Sequence, residues 1–260
     1  MRVLFLGTGT SHGVPAIGCD CPVCRSTDPR DQRLRSSIYL EFDDGLRVLV
    51  DTTTDLRQQA LRYDIRRVDA ILYTHAHADH IMGLDDVRRF NMMSGRAMPI
   101  YAEASTLADL RRTFDYVFRS SAPKGGGVPE LLLWTLGGPF CLGRQHIVPV
   151  PIEHGRWRIL GFRIGAFAYL TDCSGIPAAS MPLLENLDVL VIDALRKKPH
   201  PTHFTVDQAV ATSRQIGARQ TYFTHIAHDL GHADVSAELP GGCALAYDGL
   251  TLDVSAVARI

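Results

Sequence analysis

The sequence predicts a single α/β domain over residues 1–260. Short apolar runs typical of buried strands alternate along the chain with segments of helical periodicity, which is the pattern of an α/β fold. No break in composition and no internal repeat divides the chain. Hydrophobic residues make up 46% of it, which is enough to fill one sizeable core.

The predicted elements begin with a buried strand at Arg2–Gly7. The runs Ser36–Phe42 and Leu46–Asp51 flank Asp43-Asp44-Gly45, a turn signal that predicts a hairpin. Apolar residues at helical spacing predict a helix at Thr54–Tyr63. Further strands are expected at Ala70–Tyr73, Ile100–Tyr101, Leu131–Leu136, His146–Ile152, Arg158–Ile164, Phe167–Thr171, Asp188–Asp193 and Gln220–Thr224, and further helices at Val87–Asn91, Ser105–Phe118 and Val206–Ile216. The glycine-rich run Lys124–Gly127 fits a plain loop, with a mobile lid as the alternative.

Charge and hydropathy exclude several classes of protein. The formal net charge is -1, whereas binding to a nucleic-acid backbone needs a dense basic face. No apolar run approaches the roughly 20 residues of a membrane-spanning helix, and the N-terminal apolar run is too short for a signal peptide. We therefore expect a cytoplasmic protein without nucleic-acid or membrane partners.

The segment Thr74–His80 reads Thr-His-Ala-His-Ala-Asp-His and follows the apolar strand at Ala70–Tyr73. Its three histidines and one aspartate are too dense for a packed core, where each imidazole or carboxylate needs a partner. A metal ion can satisfy all of them. His75 and His77 project to the same side of an extended backbone, while Asp79 and His80 follow at a turn. This arrangement favours two adjacent ions over one.

Three more residues of ligand type each follow an apolar strand: His154, Asp172 and His225. The carboxyl ends of strands meet along one edge of a sheet, where α/β active sites form. A lone histidine after a strand is usually structural, but three such residues together with the Thr74–His80 segment predict one shared metal centre.

The six cysteines are distributed unevenly. Cys19, Cys21 and Cys24 are crowded together, and the other three are dispersed at Cys141, Cys173 and Cys243. Such crowding is poor geometry for a disulfide and good geometry for a metal. The Cys-rich loop at residues 18–24 is therefore predicted to bind one zinc ion with a fourth ligand from elsewhere; three reduced surface thiols are the alternative.

The His-x-His-x-Asp-His motif resembles the signature of the metallo-β-lactamase superfamily, and the resemblance covers nearly the whole chain. It implies the αββα sandwich of the metallo-β-lactamase fold and a binuclear metal-dependent hydrolase, with manganese or zinc as the two catalytic ions. It also implies the ligand sets, namely His75, His77 and His154 for one ion, Asp79, His80 and His225 for the other, and Asp172 as a bridge between them.

A narrower resemblance rests on Leu6-Gly7-Thr8-Gly9 and Gly13-Val14-Pro15 followed by Gly18-Cys19-x-Cys21-x-x-Cys24. These segments are similar to those of the PhnP family of cyclic-phosphate phosphodiesterases. The resemblance implies that His228 completes the structural zinc site of the three thiols. It also implies that a histidine just before a helix assists phosphate binding and protonates the leaving group. His203 is the matching position, and His200 is the competing candidate.

The expected function is hydrolysis of a small cyclic phosphodiester, such as a sugar phosphate like 5-phosphoribosyl 1,2-cyclic phosphate. A hydroxide bridging the two ions would attack phosphorus, with Asp79, Asp172 and His203 as the catalytic residues. Arg88 and Asn91, with His200, are candidates for substrate binding, although the first two fit a solvated helix face equally well. The expected partners are the substrate and a second copy of the chain in a homodimer.

Four rival functions share part of this pattern. A relative acting in quinone-cofactor biosynthesis has the same Cys-rich zinc loop, and a lactonase or thioesterase uses a similar metal pair. A tRNA 3′-processing nuclease shares the metal motif, but it would need a basic RNA-binding arm that the charge balance opposes. A zinc-stabilised binding protein is disfavoured because structural sites are closed four-coordinate cages, and a bridging carboxylate does not fit that pattern.

Overall fold

Two seven-stranded sheets form the centre of the molecule in the computed structural model, which describes residues 1–119 and 127–255. Apart from Gly127, the glycine-rich run considered as a lid lies outside the described residues. The strands are β1 (Arg2–Gly7), β2 (Ser37–Glu41), β3 (Arg47–Val50), β4 (Ala70–Leu72), β5 (Met98–Ala102), β6 (Leu131–Thr135), β7 (Phe140–Leu142), β8 (Gln145–His154), β9 (Trp157–Ile164), β10 (Phe167–Leu170), β11 (Val189–Asp193), β12 (Gln220–Thr224), β13 (Cys243–Leu245) and β14 (Thr251–Asp253).

Helices cover the outer faces of the two sheets. They are α1 (Leu56–Arg62), α2 (Ala78–Ile81), α3 (Arg88–Ser94), α4 (Ala104–Thr113), α5 (Asp115–Phe118), α6 (Val206–Ile216) and α7 (His232–Glu238), with 3₁₀ turns at Pro29–Asp31, Leu84–Val87 and Ala178–Leu184. Among the described helices, none combines the length and apolar character needed to cross a membrane.

Three apolar clusters separate the layers. The central cluster lies between the sheets and includes Phe5 and Leu40 from the first sheet and Phe162 from the second. A second cluster packs the first sheet against helices, as Leu110 of α4 does. The third packs the other sheet against helices through residues such as Ala209 of α6. These layers confirm the predicted αββα sandwich.

The strand order places several carboxyl ends at one edge. The first sheet runs β14-β1-β2-β3-β4-β5-β6 and the second runs β13-β12-β11-β10-β9-β8-β7. Strands β3 to β6 are parallel to one another, as are β10 to β13. The Leu160 N–H donates to the Thr74 carbonyl at 3.1 Å and joins the two sheets where β4 ends. The residues that follow β4, β10 and β12 therefore come together.

Helix α6 and strand β12 have the predicted bounds. For the helix, the ends are marked in the sequence, because a capping box at Thr205 and Gln208 starts it and Gly217 (φ +73°) ends it. The single helix predicted at Ser105–Phe118 is instead broken at Phe114, whose ψ of 40° leaves the helical region. Strands β7, β13 and β14 and helix α7 were not predicted, since segments of three to seven residues carry little periodicity.

Candidate metal centre

Two groups of four ligand-type side chains each meet at the edge where the two sheets join. Within each group, one ligand atom from every residue lies within 4.8 Å of the others. The first group is His75, His77, His154 and Asp172, and the second is Asp79, His80, Asp172 and His225. The structure therefore brings together all seven positions that the resemblance implies, and Asp172 belongs to both groups.

The first sheet supplies four of these residues through one continuous segment. His75 lies three residues beyond the last residue of β4, and His77 is the N-cap of α2. The ring centroids of His75 and His77 are 4.6 Å apart, and those of His75 and His80 are 4.3 Å apart. The short helix turns Asp79 and His80 back toward the ring of His75, as the sequence predicted from the change of direction after His77.

The second sheet supplies the other three. His154 is the last residue of β8, and its Nδ1 donates to the Thr202 carbonyl at 2.8 Å. Asp172 and His225 follow β10 and β12 with φ values of +57° and +59°. Positive φ is uncommon for residues other than glycine, and such strained backbone is concentrated at functional sites. Here it turns both side chains toward the first sheet.

The Asp172 carboxylate reaches side chains of both groups. Its Oδ1 lies 3.1 Å from His80 Nε2, and its Oδ2 lies 3.2 Å from His225 Nε2 and 3.9 Å from His75 Nε2. The nearby His225 and His80 imidazoles outweigh the effect of burial and hold the pKa of Asp172 well below its ordinary value. This residue is the geometric centre of the site.

The donor set fits divalent metal ions. Nε2 of His75, His80 and His225 is buried, and none of the three has a hydrogen-bond partner among the described residues. Buried polar atoms are normally paired, and imidazole nitrogens beside carboxylates are the ligands that zinc and similar ions prefer. The converging nitrogens and the shared carboxylate are therefore suited to two ions.

Two buried aspartates support the ligands from behind. Asp51 has a φ of +63° and accepts hydrogen bonds from His80 Nδ1 at 2.7 Å, Thr74 Oγ1 at 2.8 Å and the Thr74 N–H at 2.9 Å. Asp193, the last residue of β11, accepts from His203 Nδ1 at 2.6 Å and lies 3.7 Å from His225 Nδ1. The bond to Asp51 fixes the ring orientation and the tautomer of the ligating His80, whereas the bond to Asp193 orients His203, whose ring stacks on the ligating His225.

The roles of Asp51 and Asp193 were not predicted from the sequence, although a usable signal was present. Each residue ends or follows an apolar strand, which is the criterion that identified Asp172. Burial raises the pKa of Asp193 well above its ordinary value. For His80, burial acts to lower the pKa, but the Asp172, Asp79 and Asp51 carboxylates raise it well above the ordinary value.

His203 lies against this cluster and His200 lies beside it. The His203 ring stacks on His225 at 4.7 Å and meets His154 edge-on at 4.8 Å. Burial, followed by the nearby His225, lowers the pKa of His203 to about 4. His200 is 5.0 Å from His203 and contacts Thr202. Of the two candidates, His203 is the one in contact with metal-site histidines.

The two candidates on α3 have other contacts. The Asn91 amide donates to the carbonyls of Arg96 and Glu130 and accepts from the Glu130 N–H. It is buried, so Asn91 makes structural contacts and does not lie on a solvated helix face. Arg88 is half-exposed, pairs with Asp85 at 3.0 Å and donates to the Gly127 carbonyl. These contacts place Arg88 on a solvent-facing side of α3, which is the alternative to substrate binding.

A second cluster, the thiol cluster, consists of Cys19, Cys21, Cys24 and His228. His228 Nδ1 lies 3.3 Å from the Cys19 sulfur and 3.4 Å from the Cys21 sulfur. The Cys24 N–H and then His228 lower the pKa of Cys21 to about 6, which favours the thiolate that binds metal. Three thiols and one imidazole are a tetrahedral zinc donor set, as the resemblance implies.

Comparisons with known proteins agree with this geometry. A family model described as a β-lactamase superfamily domain matches residues 46–226. The chain is similar to the solved structure of a diphosphatase from the PhnP family, with 46% identity, a TM-score of 0.92 and coverage of 99% of both chains. It also resembles zinc-bound PqqB from Methylobacterium extorquens, with 20% identity and a TM-score of 0.80 over 98% of this chain and 100% of that one, which shows a shared fold.

Among curated proteins, the chain is 41% identical to an octanoyltransferase from Porphyromonas gingivalis over 255 residues, which are 96% of this chain and 51% of that protein. The chain spans about half the length of the curated relatives that it matches first. Because the family model covers most of the chain and the PhnP-family structure matches nearly all of it, the chain belongs to the metallo-β-lactamase superfamily, in its PhnP family, and this domain is a metal-dependent hydrolase.

Proposed function

We propose that the domain is a binuclear phosphodiesterase that cleaves a phosphorus–oxygen bond in a small cyclic phosphodiester of a sugar. The observation that supports this most directly is the position of Asp172, whose carboxylate lies 3.1 and 3.2 Å from His80 and His225 of the second group and 3.9 Å from His75 of the first. A closed structural metal site holds one ion with four ligands and does not need a carboxylate shared with another site. A binuclear hydrolytic centre needs such a carboxylate, because its two ions must be held at a fixed separation.

Two divalent ions held there would supply Lewis-acid activation of water and of a phosphoryl oxygen. The role of the chain is to place the reacting groups. Asp172 would set the spacing between the two ligand groups, and Asp51 and Asp193 keep the imidazoles from rotating. His80, His225 and Asp172 are buried, and fixed groups in such surroundings stabilise charge that develops on a phosphate more strongly than groups in water do.

His203 is the proposed proton donor. Its Nδ1 is hydrogen-bonded to Asp193 at 2.6 Å, which leaves Nε2 as the atom that would deliver a proton to the departing sugar oxygen. Stacking on His225 fixes the plane of the ring. The negative charge of a bound phosphate would favour the protonated imidazole at the time when it is needed.

A diphosphate is the second candidate substrate. The PhnP-family structure that matches 99% of this chain at 46% identity is named a diphosphatase. Attack on phosphorus and stabilisation of phosphoryl oxygens serve an anhydride as well as an ester, so the same residues would act in both reactions. The remaining alternatives, namely a lactonase, a thioesterase, a quinone-cofactor relative and a tRNA nuclease, predict other substrates. The homodimer and the cytoplasmic location stay predictions.

A substrate panel tests the proposal. Manganese- and zinc-loaded protein would be assayed on bis(p-nitrophenyl) phosphate, a nucleoside 2′,3′-cyclic phosphate, a ribosyl 1,2-cyclic phosphate, a dinucleoside diphosphate, a lactone and a thioester. We expect turnover of the phosphodiesters. Faster turnover of the diphosphate would select the second candidate, and turnover of the lactone or thioester alone would overturn the proposal.

His203→Gln supplies a matched variant for the proton donor. Loss of general acid catalysis costs about 10²- to 10⁴-fold, and most for substrates with a poor leaving group. We therefore expect a large loss on the cyclic sugar phosphate and a small loss on bis(p-nitrophenyl) phosphate, whose leaving group needs little protonation. Equal losses on both substrates would contradict the role given to His203.

A further inference from the structure

An exposed tryptophan lies beside the metal centre. Trp157 is 61% exposed, and its ring centroid is 4.9 Å from that of His77, a ligand of the first group. Single exposed apolar residues are common on protein surfaces and need no explanation by themselves. The contact with a metal-site histidine sets Trp157 apart, because the indole packs beside the ligand group and is still exposed to solvent over most of its surface.

The backbone holds this indole in a defined position. Trp157 is the first residue of β9 and pairs directly with His154, the last residue of β8. Gly155 in the turn between them has a φ of +62°, a conformation that glycine adopts freely. A hydrogen bond also joins the turn to the segment after β10, since the Gly155 N–H donates to Ser174 Oγ at 2.8 Å. The ring is therefore carried by the same hairpin as a metal ligand.

The turn also contacts the segment that carries the proposed proton donor. A Cβ added at Gly155 would lie 2.7 Å from Thr202 Cγ2, and His154 Nδ1 donates to the Thr202 carbonyl. His203 follows directly. Trp157 and His203 therefore contact the same ligand group, through His77 and His154 respectively, and the exposed Arg156 adds positive charge at the tip of the hairpin.

We propose that Trp157 is a specificity-determining residue that stacks on a planar aromatic group of the substrate, so that the sugar phosphodiester carries a nucleobase. A phosphate at the metal centre would place the rest of a small substrate within reach of the indole. Base–aromatic stacking is strong and tolerates any base, because every base has a π-face. This inference rests on the proposed phosphodiesterase function and narrows its substrate class.

Matched substrates and variants test the proposal by turnover. Adenosine 2′,3′-cyclic phosphate and ribose 2,3-cyclic phosphate share the reacting phosphodiester and differ only in the base. We expect Trp157→Ala to lose about tenfold in kcat/KM on the adenosine compound and to change little on the abasic one, while Trp157→Phe keeps most of the activity. The control is Trp134→Ala, because Trp134 is 54% exposed on β6 and stacks on Tyr101 instead. Equal losses on both substrates would overturn the proposal.

A binding measurement separates this inference from the proposed function. The chain has two tryptophans, so Trp134→Phe leaves Trp157 as the single indole fluorophore. We expect AMP to quench its fluorescence in the metal-loaded protein and ribose 5-phosphate to leave it unchanged. Quenching by AMP without turnover of any phosphodiester would retain the stacking site and reject the phosphodiesterase. Turnover of the cyclic phosphates without quenching by AMP would reject the stacking site alone.

Discussion

The two ligand clusters of this molecule are built in different ways. The proposed catalytic cluster consists of the seven ligand-type residues of the metal centre. It is assembled by the fold, since these residues lie at or just beyond the ends of strands from both sheets and Asp172 is buried where the sheets meet. The thiol cluster lies in a loop at residues 18–24 with one histidine from beyond β12, and Cys19 and Cys21 are half-buried. One cluster takes all of its ligands from strand ends and the segments that follow them, whereas the other takes three of its four ligands from one loop.

The two clusters share a single segment. His225 belongs to the catalytic cluster and His228 to the thiol cluster, and only two residues separate them. Arg33 holds the backbone of this segment by donating to the carbonyls of Ala227 and Leu230 at 3.1 and 2.7 Å. We infer that the catalytic cluster performs the chemistry and that the thiol cluster, when it holds zinc, keeps this segment in place. Variants of the two clusters should therefore have opposite effects on turnover and on stability.

The largest effect on turnover is expected for Asp172→Asn. Asparagine tolerates the φ of +57° at this position better than alanine does, so the fold should be kept while the charge shared by the two ligand groups is lost. We expect turnover of a phosphodiester to fall by about 10³-fold or more with an unchanged circular dichroism spectrum. Asp207→Asn, on the exposed first turn of α6, is the control; an active Asp172→Asn enzyme would contradict the assignment.

A smaller loss is expected for Asp51→Asn. The change removes the charge behind His80 and leaves an amide that cannot accept every hydrogen bond that the carboxylate accepts from Thr74 and His80. Contacts of this kind are worth about 10- to 100-fold in metal affinity or activity. Isothermal titration calorimetry with the metal measures the affinity. The control is Asp43→Asn at the exposed β2–β3 turn, which should leave the affinity unchanged. An unaltered affinity in Asp51→Asn would mean that His80 is oriented without this bond.

The thiol cluster should show the reverse pattern. Cys24→Ser should remove one zinc ion per chain and lower the free energy of unfolding by about 2 kcal/mol, or roughly 4–8 °C in Tm. Turnover per folded molecule should stay within about tenfold, because the catalytic ligands are retained. Zinc content and thermal unfolding measure both effects, with exposed Cys141→Ser as the control. An unchanged zinc content would favour three reduced thiols at the surface.

The smallest effect on turnover is expected for Arg33→Lys. Arg33 is buried and its guanidinium also pairs with Asp31 at 2.8 Å, a fork of contacts that an ammonium cannot reproduce. We expect a loss of about 1–2 kcal/mol in the free energy of unfolding, with turnover within about threefold. Urea denaturation measures the loss, and exposed Arg25→Lys should be neutral. A large loss of turnover without a loss of stability would give Arg33 a direct part in the chemistry.

The same comparison explains what could be predicted from the sequence. The proposed metal ligands were recognisable because the Thr74–His80 segment, His154, Asp172 and His225 each end or follow an apolar strand, and the carboxyl ends of such strands meet at one edge of a sheet. Asp51 and Asp193 satisfy the same criterion, but they lie outside the recognisable motif, and their role depends on contacts with His80 and His203 that only the folded chain shows.

Other features depended on tertiary contacts. Asn91 was a candidate for substrate binding because it is a polar residue just after the metal motif, with a solvated helix face as the alternative. In the structure its amide bonds to Glu130, which is 39 residues away in sequence, and a side chain to backbone contact of that range leaves no pattern in the sequence. The short strands β13 and β14 likewise depend on pairing with β12 and β1, which supply the hydrogen bonds that three residues cannot provide alone.

Metal content and turnover measured together on three proteins test the division of roles most directly. Wild type, Asp172→Asn and Cys24→Ser would be loaded with zinc, dialysed and analysed for bound metal and for hydrolysis of a cyclic phosphodiester. We predict that Asp172→Asn keeps the thiol-bound zinc and loses turnover, whereas Cys24→Ser loses one zinc ion and keeps turnover. Loss of turnover in a folded Cys24→Ser protein together with an active Asp172→Asn protein would contradict the account.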